Sequence, residues 1–281
     1  MSRPTTVYQP PELGTIHPFS ALTRLCEFGD LFVTLSIHRV KIRYKQSRLG
    51  ILWAILQPLA MMLVFTLMFT VLRTAPSADV PFPLFAYSAL VPWTAFASGL
   101  SNATTALTSH AALLTKVSFP REILPLTYIV AALVDLTFSA VILVPLMLWF
   151  HVAPTMTALW CLPAIVVLIA FLLGAGLLLS AVQVRYRDVG LAMPVLIQIW
   201  LFATPVLYPL DAVRHALPAS LYALYTLNPM AAVVETFRRA LVLHQPPDLA
   251  VLATSIVVVA LIAPCAYLYF KYIELTMADV V

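Results

Sequence analysis

Glycine is scarce in this sequence, seven residues in 281, and there is no GxxxxGK run. A phosphate-cradling loop needs glycines at fixed spacing ahead of a helix, so nucleotide binding by such a loop is excluded. Charge is scarce too. Asp, Glu, Lys and Arg make up 10% of the chain, against about 25% in soluble domains. The histidines (His17, His38, His110, His151, His215 and His244) are scattered, with no HExxH and no partner at metal-ligand spacing. No metal centre is expected. GxSxG is absent as well, and no catalytic residue is expected. The cysteines Cys26, Cys161 and Cys265 are few, distant and form no CxxC. That excludes a disulfide framework and leaves buried thiols as the expectation. No early apolar run resembles a cleavable signal, so the first span is expected to serve as its own.

What the chain does have is apolar length. It is 62% hydrophobic with a mean hydropathy of +0.96, the composition of one membrane domain rather than a soluble domain with an anchor. The formal net charge of +4 does not point to nucleic acid. The cations stand beside apolar runs, where they set topology and meet anionic lipid.

The stretch from Lys41 to Leu72 organises the rest. Arg39, Lys41, Arg43, Lys45 and Arg48 precede a turn at Leu49-Gly50, and the 24 residues from Leu49 to Leu72 carry no charge. As a helix that run reaches roughly 36 Å, enough to cross a hydrocarbon core of about 30 Å. Basic residues stay on the cytoplasmic side, so the N-terminus is placed inside. Ahead of the cluster, residues 1–20 are proline-rich and irregular. Residues 22–46 carry Leu25, Phe28, Phe32 and Leu35 on one helical stripe and Glu27, Asp30, Thr34, His38, Lys41 and Lys45 on another. That pattern predicts an amphipathic helix in the cytoplasmic interface, apolar face in the membrane. A short soluble helix packed on a partner is the alternative.

Further spans are predicted at about 84–107, 123–150, 156–182, 190–208 and 249–270. The second is less apolar, with Pro92, Ser98, Ser101, Asn102, Thr104 and Thr105, and must turn its polar face to other helices or a watery path. Its Asn-Ala-Thr sequon is read as chance. Gly174-Ala175-Gly176 predicts close helix packing. Between spans five and six, Asn228-Pro229 supplies an N-cap and a first-turn proline. This segment predicts two re-entrant or interfacial helices at the outer side, with Glu235 early and Arg238 and Arg239 late in the second. The result is an all-α integral membrane protein of six transmembrane helices with both termini cytoplasmic. Residues 1–48 form the tail and interfacial helix, and 49–281 the membrane domain. Twelve of the 16 Lys and Arg residues fall inside and four outside, as this topology requires.

Asp135 is the one ionisable residue deep in a span. It reads either as a structural, hydrogen-bonded carboxylate or as a functional group. Aromatics (Trp53, Phe65, Phe69, Tyr87, Trp93, Phe96, Trp200, Phe202 and Tyr208) read as core and interfacial belt, or as a surface on which sugar rings slide.

Four segments resemble a known family. They are Arg43-Tyr44-Lys45-Gln46-Ser47-Arg48-Leu49-Gly50-Ile51-Leu52-Trp53 with Gln57-Pro58; Val91-Pro92-Trp93-Thr94 through Leu114-Thr115-Lys116-Val117-Ser118-Phe119-Pro120-Arg121-Glu122-Ile123-Leu124-Pro125; Arg185-Tyr186-Arg187-Asp188; and Tyr208-Pro209 with Leu227-Asn228-Pro229-Met230 and Phe237-Arg238. In this order, over roughly residues 25–275, they resemble the permeases of type-2 ATP-binding-cassette polysaccharide exporters, which handle O-antigen, teichoic acid and capsular polysaccharide. The resemblance implies a homodimer in the bacterial inner membrane with two copies of a separate ATPase, which binds ATP and Mg; this chain itself would hold no cofactor. It implies a lipid-linked polysaccharide substrate, with Arg43, Lys45, Arg48, Leu49 and Gly50 at a gate for its pyrophosphate headgroup. Trp53, Phe65, Phe69, Trp93, Phe96, Trp200 and Tyr208 would line the channel. Lys116, Phe119, Pro120, Arg121 and Glu122 would receive the ATPase's movement. Three other classes stay open: a small-molecule or drug permease of the same superfamily, a stand-alone carrier dependent on Asp135, and a membrane-embedded glycan enzyme.

Overall fold

The structure, a computed structural model, describes residues 27–45, 48–72, 80–116 and 119–275. The N-terminal tail with Leu25 and Cys26, Gln46-Ser47, Arg73, Val117-Ser118 and the last six residues lie outside them. The described residues contain helices and no strand. In chain order the α-helices are α1 (Gly29–Lys45), α2 (Leu52–Leu72), α3 (Phe82–Thr105), α4 (Ala111–Lys116), α5 (Ile123–Trp149), α6 (Cys161–Arg185), α7 (Asp188–Phe202), α8 (Leu210–Ala216), α9 (Ala219–Thr226), α10 (Pro229–Leu241) and α11 (Leu249–Glu274).

Among the described residues, four segments are long and apolar enough to cross a membrane: α2, α5, Met156–Arg185 (a short 3-10 turn running into α6) and α11. The sequence pattern predicts six. The other two, α3 and α7, fall short for different reasons. At 24 residues α3 has the length, roughly 36 Å, but its serines, threonines and Asn102 dilute its hydropathy. At 15 residues α7 stops at Phe202 instead of Tyr208.

The fold centres on α3, the least apolar of the long helices. It packs against α2, α5, α6, α7 and α10, and Leu84 to Phe96 are buried without a break. Three of its buried hydroxyls are satisfied within the helix: Ser88, Thr94 and Thr104 donate to the carbonyls of Phe85, Leu90 and Leu100 at 2.7–2.9 Å. A helix can then be polar in sequence and still central among apolar neighbours. The Gly174-Ala175-Gly176 run also has its expected use. A Cβ on Gly174 would lie 3.0 Å from the Ala263 Cα, and one on Gly176 3.2 Å from the Ala103 Cβ. So α6 approaches both α11 and α3 closely. Cys161 is buried as expected, whereas Cys265 is exposed on α11.

At one end, α1 lies across α5. The stripe expected to face lipid faces protein instead. Phe28, Leu31, Phe32 and Leu35 pack on a cluster containing Leu107, Phe119, Ile123 and Phe270. Val33, Ile37 and Ile42 are the large apolar residues that α1 leaves exposed. Helical periodicity marks an apolar face but cannot say whether lipid or protein covers it.

At the other end, three short helices stand where two are predicted: the additional one, α8, precedes the pair and is set off from α9 by Pro218. The helix at Asn228-Pro229 forms as read, with the Asn228 side chain accepting from the Met230 N–H at 3.1 Å. At 13 residues α10 measures roughly 20 Å, too short to span, and almost all of it is buried.

Candidate functional site

Asp135 is buried on α5 and is bound from α1. Arg43 Nη2 lies 2.8 Å from Asp135 Oδ2, and the Tyr44 hydroxyl donates to Oδ1. Burial, then contact with the carboxylate, raises the Tyr44 phenol well above its ordinary range, so it remains a protonated donor. Arg43 of the basic cluster and Asp135, separate features in the sequence, meet in the fold. Beside the pair is a cavity of about 220 Å³ whose wall includes Trp53, Gln57, Thr94, Ser98 and Ser139. Hydroxyls, an amide, an indole face and an ion pair form a surface that can hold a polar, oxygen-rich ligand. Neighbouring hydrogen bonds fix its walls: Ser139 Oγ donates to the Ala54 carbonyl at 2.8 Å, and the Tyr87 hydroxyl to the Ser139 carbonyl at 3.0 Å. These tie α2, α3 and α5 together.

Of the five gate residues, only Arg43 touches this cavity. Lys45, Arg48 and Leu49 are exposed, and Gly50 turns the chain into α2 with φ of 51°, a conformation glycine adopts without strain. Arg39, on the same helix, stacks over the Tyr128 ring at 4.0 Å and reaches His110 Nε2 at 2.9 Å. Through these contacts α1 is fixed to α5 and to the turn before α4.

The coupling candidates form a second cluster. Phe119, Pro120 and Glu122 are buried and Arg121 is half-buried. Lys271 Nζ at the end of α11 donates to both Glu122 oxygens at 2.9 and 3.0 Å and to Glu274 Oε2 at 2.7 Å. Arg121 Nη1 donates to the Glu274 carbonyl at 2.9 Å. A buried cation shared by two carboxylates locks the start of α5 to the end of α11. Lys116 ends α4, and its side chain is outside the described atoms.

The channel candidates divide. Trp53, 52% exposed, lies on the cavity wall. Phe65 and Phe69 are half-buried against the core, with Phe69 4.7 Å from Phe82. Trp93 and Phe96 are enclosed within the single chain at 2% and 0% exposure. Phe96 stacks on Phe171 at 5.4 Å and meets Trp200 edge-on at 5.1 Å. Trp200 Nε1 donates to Asn228 Oδ1 at 3.2 Å, and the Tyr208 hydroxyl meets that of Tyr225 at 3.2 Å.

Pro205, which lacks an N–H and disfavours helix at the residue before it, keeps α7 short. After Phe202 the chain leaves the helix, and its carbonyls lose their helical donors inside a buried region. Arg238 supplies them: Nη2 donates to the Pro205 and Val206 carbonyls at 2.7 and 2.9 Å, and Nη1 to that of Tyr208 at 3.3 Å. Its charge is met by Glu235 at 2.7 Å and by the Phe85 ring, 3.9 Å below. In the sequence Arg238 reads as a helix-end cation and as part of a family motif, and Lys271 and Glu274 carry no expected role. One signal was available: an acid in the middle of a span needs a partner, although the sequence does not say which cation supplies it.

Among the described residues the chain combines apolar helices long enough to cross a membrane with a basic helix and a polar cavity beside it. Comparison with known proteins gives its family. The sequence pattern of the ABC-2 type transporter family matches residues 30–242, and this chain belongs to that family. It is 32% identical over 238 residues to the O-antigen export system permease protein RfbA of Myxococcus xanthus, covering 83% of this chain and 90% of the relative. It is 28% identical over 216 residues to the polysialic acid transport protein KpsM of Escherichia coli, covering 73% and 79%. It is 26% identical over 237 residues to the capsule polysaccharide export inner-membrane protein CtrC of Neisseria meningitidis, covering 79% and 83%.

Proposed function

We propose that this chain is the permease subunit of an ATP-driven exporter that moves a lipid-linked, O-antigen-like polysaccharide across the bacterial inner membrane. It works as a homodimer with two copies of a separate ATPase, which binds ATP and Mg. The observation that carries this reading is the similarity, over about three-quarters of the chain or more, to permeases named for O-antigen and capsule export. In this reading α2, α3, α5, α6, α7 and α11 are the six spans, both termini are cytoplasmic, and α8 to α10 are re-entrant from the outer side.

The geometry supports a division of labour. The 119–122 segment receives the ATPase's stroke, and the Glu122–Lys271–Glu274 lock passes it to α11. Arg39, through Tyr128 and His110, passes it to α1. The lipid's phosphates meet Arg43, Lys45 and Arg48, and the glycan follows aromatic and hydroxyl surfaces that hold sugars weakly enough to let them move. The open faces of α2 and α7, with Leu63, Val64 and Leu67 on one and Leu191, Val195 and Ile199 on the other, suit contact with the second subunit and lipid. The test is purification from native membranes in mild detergent. A stoichiometric ATPase subunit and ATP hydrolysis are expected. An intact, folded permease that recovers no ATPase would overturn the proposal.

A further inference from the structure

Arg43 belongs to the cation cluster that the proposed function assigns to the headgroup, yet its guanidinium is already engaged. Nη2 sits 2.8 Å from Asp135 Oδ2, with the arginine side chain 32% exposed and the aspartate 9%. The carboxylate is nearly buried and the arginine more open, and both line a cavity of about 220 Å³. Lys45 and Arg48 are exposed. Of the three headgroup cations, only the one at the cavity carries an internal anion.

A carboxylate and a phosphate ester offer arginine the same pair of acceptor oxygens. We infer that Asp135 is an internal stand-in for phosphate: it occupies Arg43 in the resting protein, latches α1 to α5, and is displaced when a lipid-borne phosphate or diphosphate reaches the cavity. This rests on the reading of the cargo as phosphate-linked. The exchange gives Arg43 a new anion but leaves the buried Asp135 without its cation, so the latch opposes the bound state, which suits a carrier that must also release. It also has a mechanical consequence. An arriving phosphate and Asp135 carry like charge on one cation, and the strain is relieved by moving α1 away from α5. Asp135 and Tyr44 then part as well, because Tyr44 rides on α1. Headgroup arrival thus unlatches the helix that closes the gate.

A latch lowers apparent affinity by the fraction of time it is open. A pair closed about nine-tenths of the time withholds about tenfold. The experiment uses the whole transporter, permease with its ATPase, in phosphatidylcholine nanodiscs, titrated with farnesyl diphosphate. Asp135→Asn is expected to tighten binding about tenfold. Arg43→Gln should weaken binding, and in that background Asp135→Asn should change nothing further. Wild type provides a reading that needs no variant: farnesyl diphosphate should speed hydrogen exchange in residues 29–45, and farnesol should not. Unchanged or weaker binding in a folded Asp135→Asn protein overturns the inference, as does a silent α1. Inorganic pyrophosphate binding as tightly as farnesyl diphosphate, with the same response to Asp135→Asn, keeps the competition but assigns the site to a free anion. Farnesyl diphosphate failing to bind while polysaccharide export continues sinks this inference alone. Loss of the ATPase association sinks the proposed function.

Discussion

Replacing Lys271 by methionine should be among the most damaging single changes in this chain. The Lys271 side chain is 3% exposed and bridges two carboxylates, Glu122 and Glu274, each 2% exposed. Methionine fills much of the volume and leaves two acids facing one another without their cation. Removing one partner of a buried ion pair costs about 3–5 kcal/mol. At about 2–4 °C per kcal/mol for a chain near this size, the denaturation midpoint should fall by roughly 10 °C. Thermal denaturation of the detergent-purified transporter, followed by loss of the monodisperse size-exclusion peak at one fixed heating rate, reads this directly. The triple change Glu122→Gln, Lys271→Met and Glu274→Gln removes all three charges and should regain more than half of the loss, because no ion is left unpaired. A Lys271→Met midpoint within about 2 °C of wild type, a shift worth under 1 kcal/mol on the same scale, or a triple variant no better than the single, would refute the reasoning.

Three further changes probe other joints. Arg238→Ala strips three carbonyls and Glu235 of their partner; a loss of about 3–5 kcal/mol is expected, and proteolysis should then cut between residues 203 and 209 in the folded wild-type background temperature range. Gly174→Val places side-chain atoms where Ala263 already stands, at a cost of about 1–3 kcal/mol, visible as a lower midpoint, whereas Gly174→Ala should cost less. Asn228→Ala removes the cap of α10 together with the bonds to Trp200 and Thr204. A loss of about 1–2 kcal/mol should follow, with a change in tryptophan emission reporting Trp200.

The long elements could be read before any coordinates because lipid imposes a length and an apolar composition on whatever crosses it. α2, α5, α6 and α11 satisfy both demands and appear within a few residues of where periodicity puts them. The Asn228-Pro229 start was legible because an N-cap and a first-turn proline are local chemistry. What could not be read were the pairings across the fold. Nothing local says that Asp135 meets Arg43, 92 positions earlier, or that Lys271 meets Glu122, 149 positions earlier. Nor does local sequence say that the stripe of Phe28, Phe32 and Leu35 is covered by Phe119 and Phe270 instead of lipid. The end of α7 was misplaced for a related reason. Hydropathy continues to Tyr208, but the helix stops ahead of Pro205, and the irregular stretch is held by a guanidinium from α10 that meets its carbonyls.

The central claim is that this permease carries lipid-linked polysaccharide outward at the expense of ATP. The most direct measurement is made on inside-out membrane vesicles from cells that synthesise the glycan. They are supplied with ATP and probed with a membrane-impermeant glycosidase for glycan still on the outer, formerly cytoplasmic, surface. ATP should protect the glycan by moving it into the lumen, and vesicles lacking this chain should show no protection. Equal glycosidase sensitivity with and without ATP, in vesicles that hold the assembled transporter, would contradict the account.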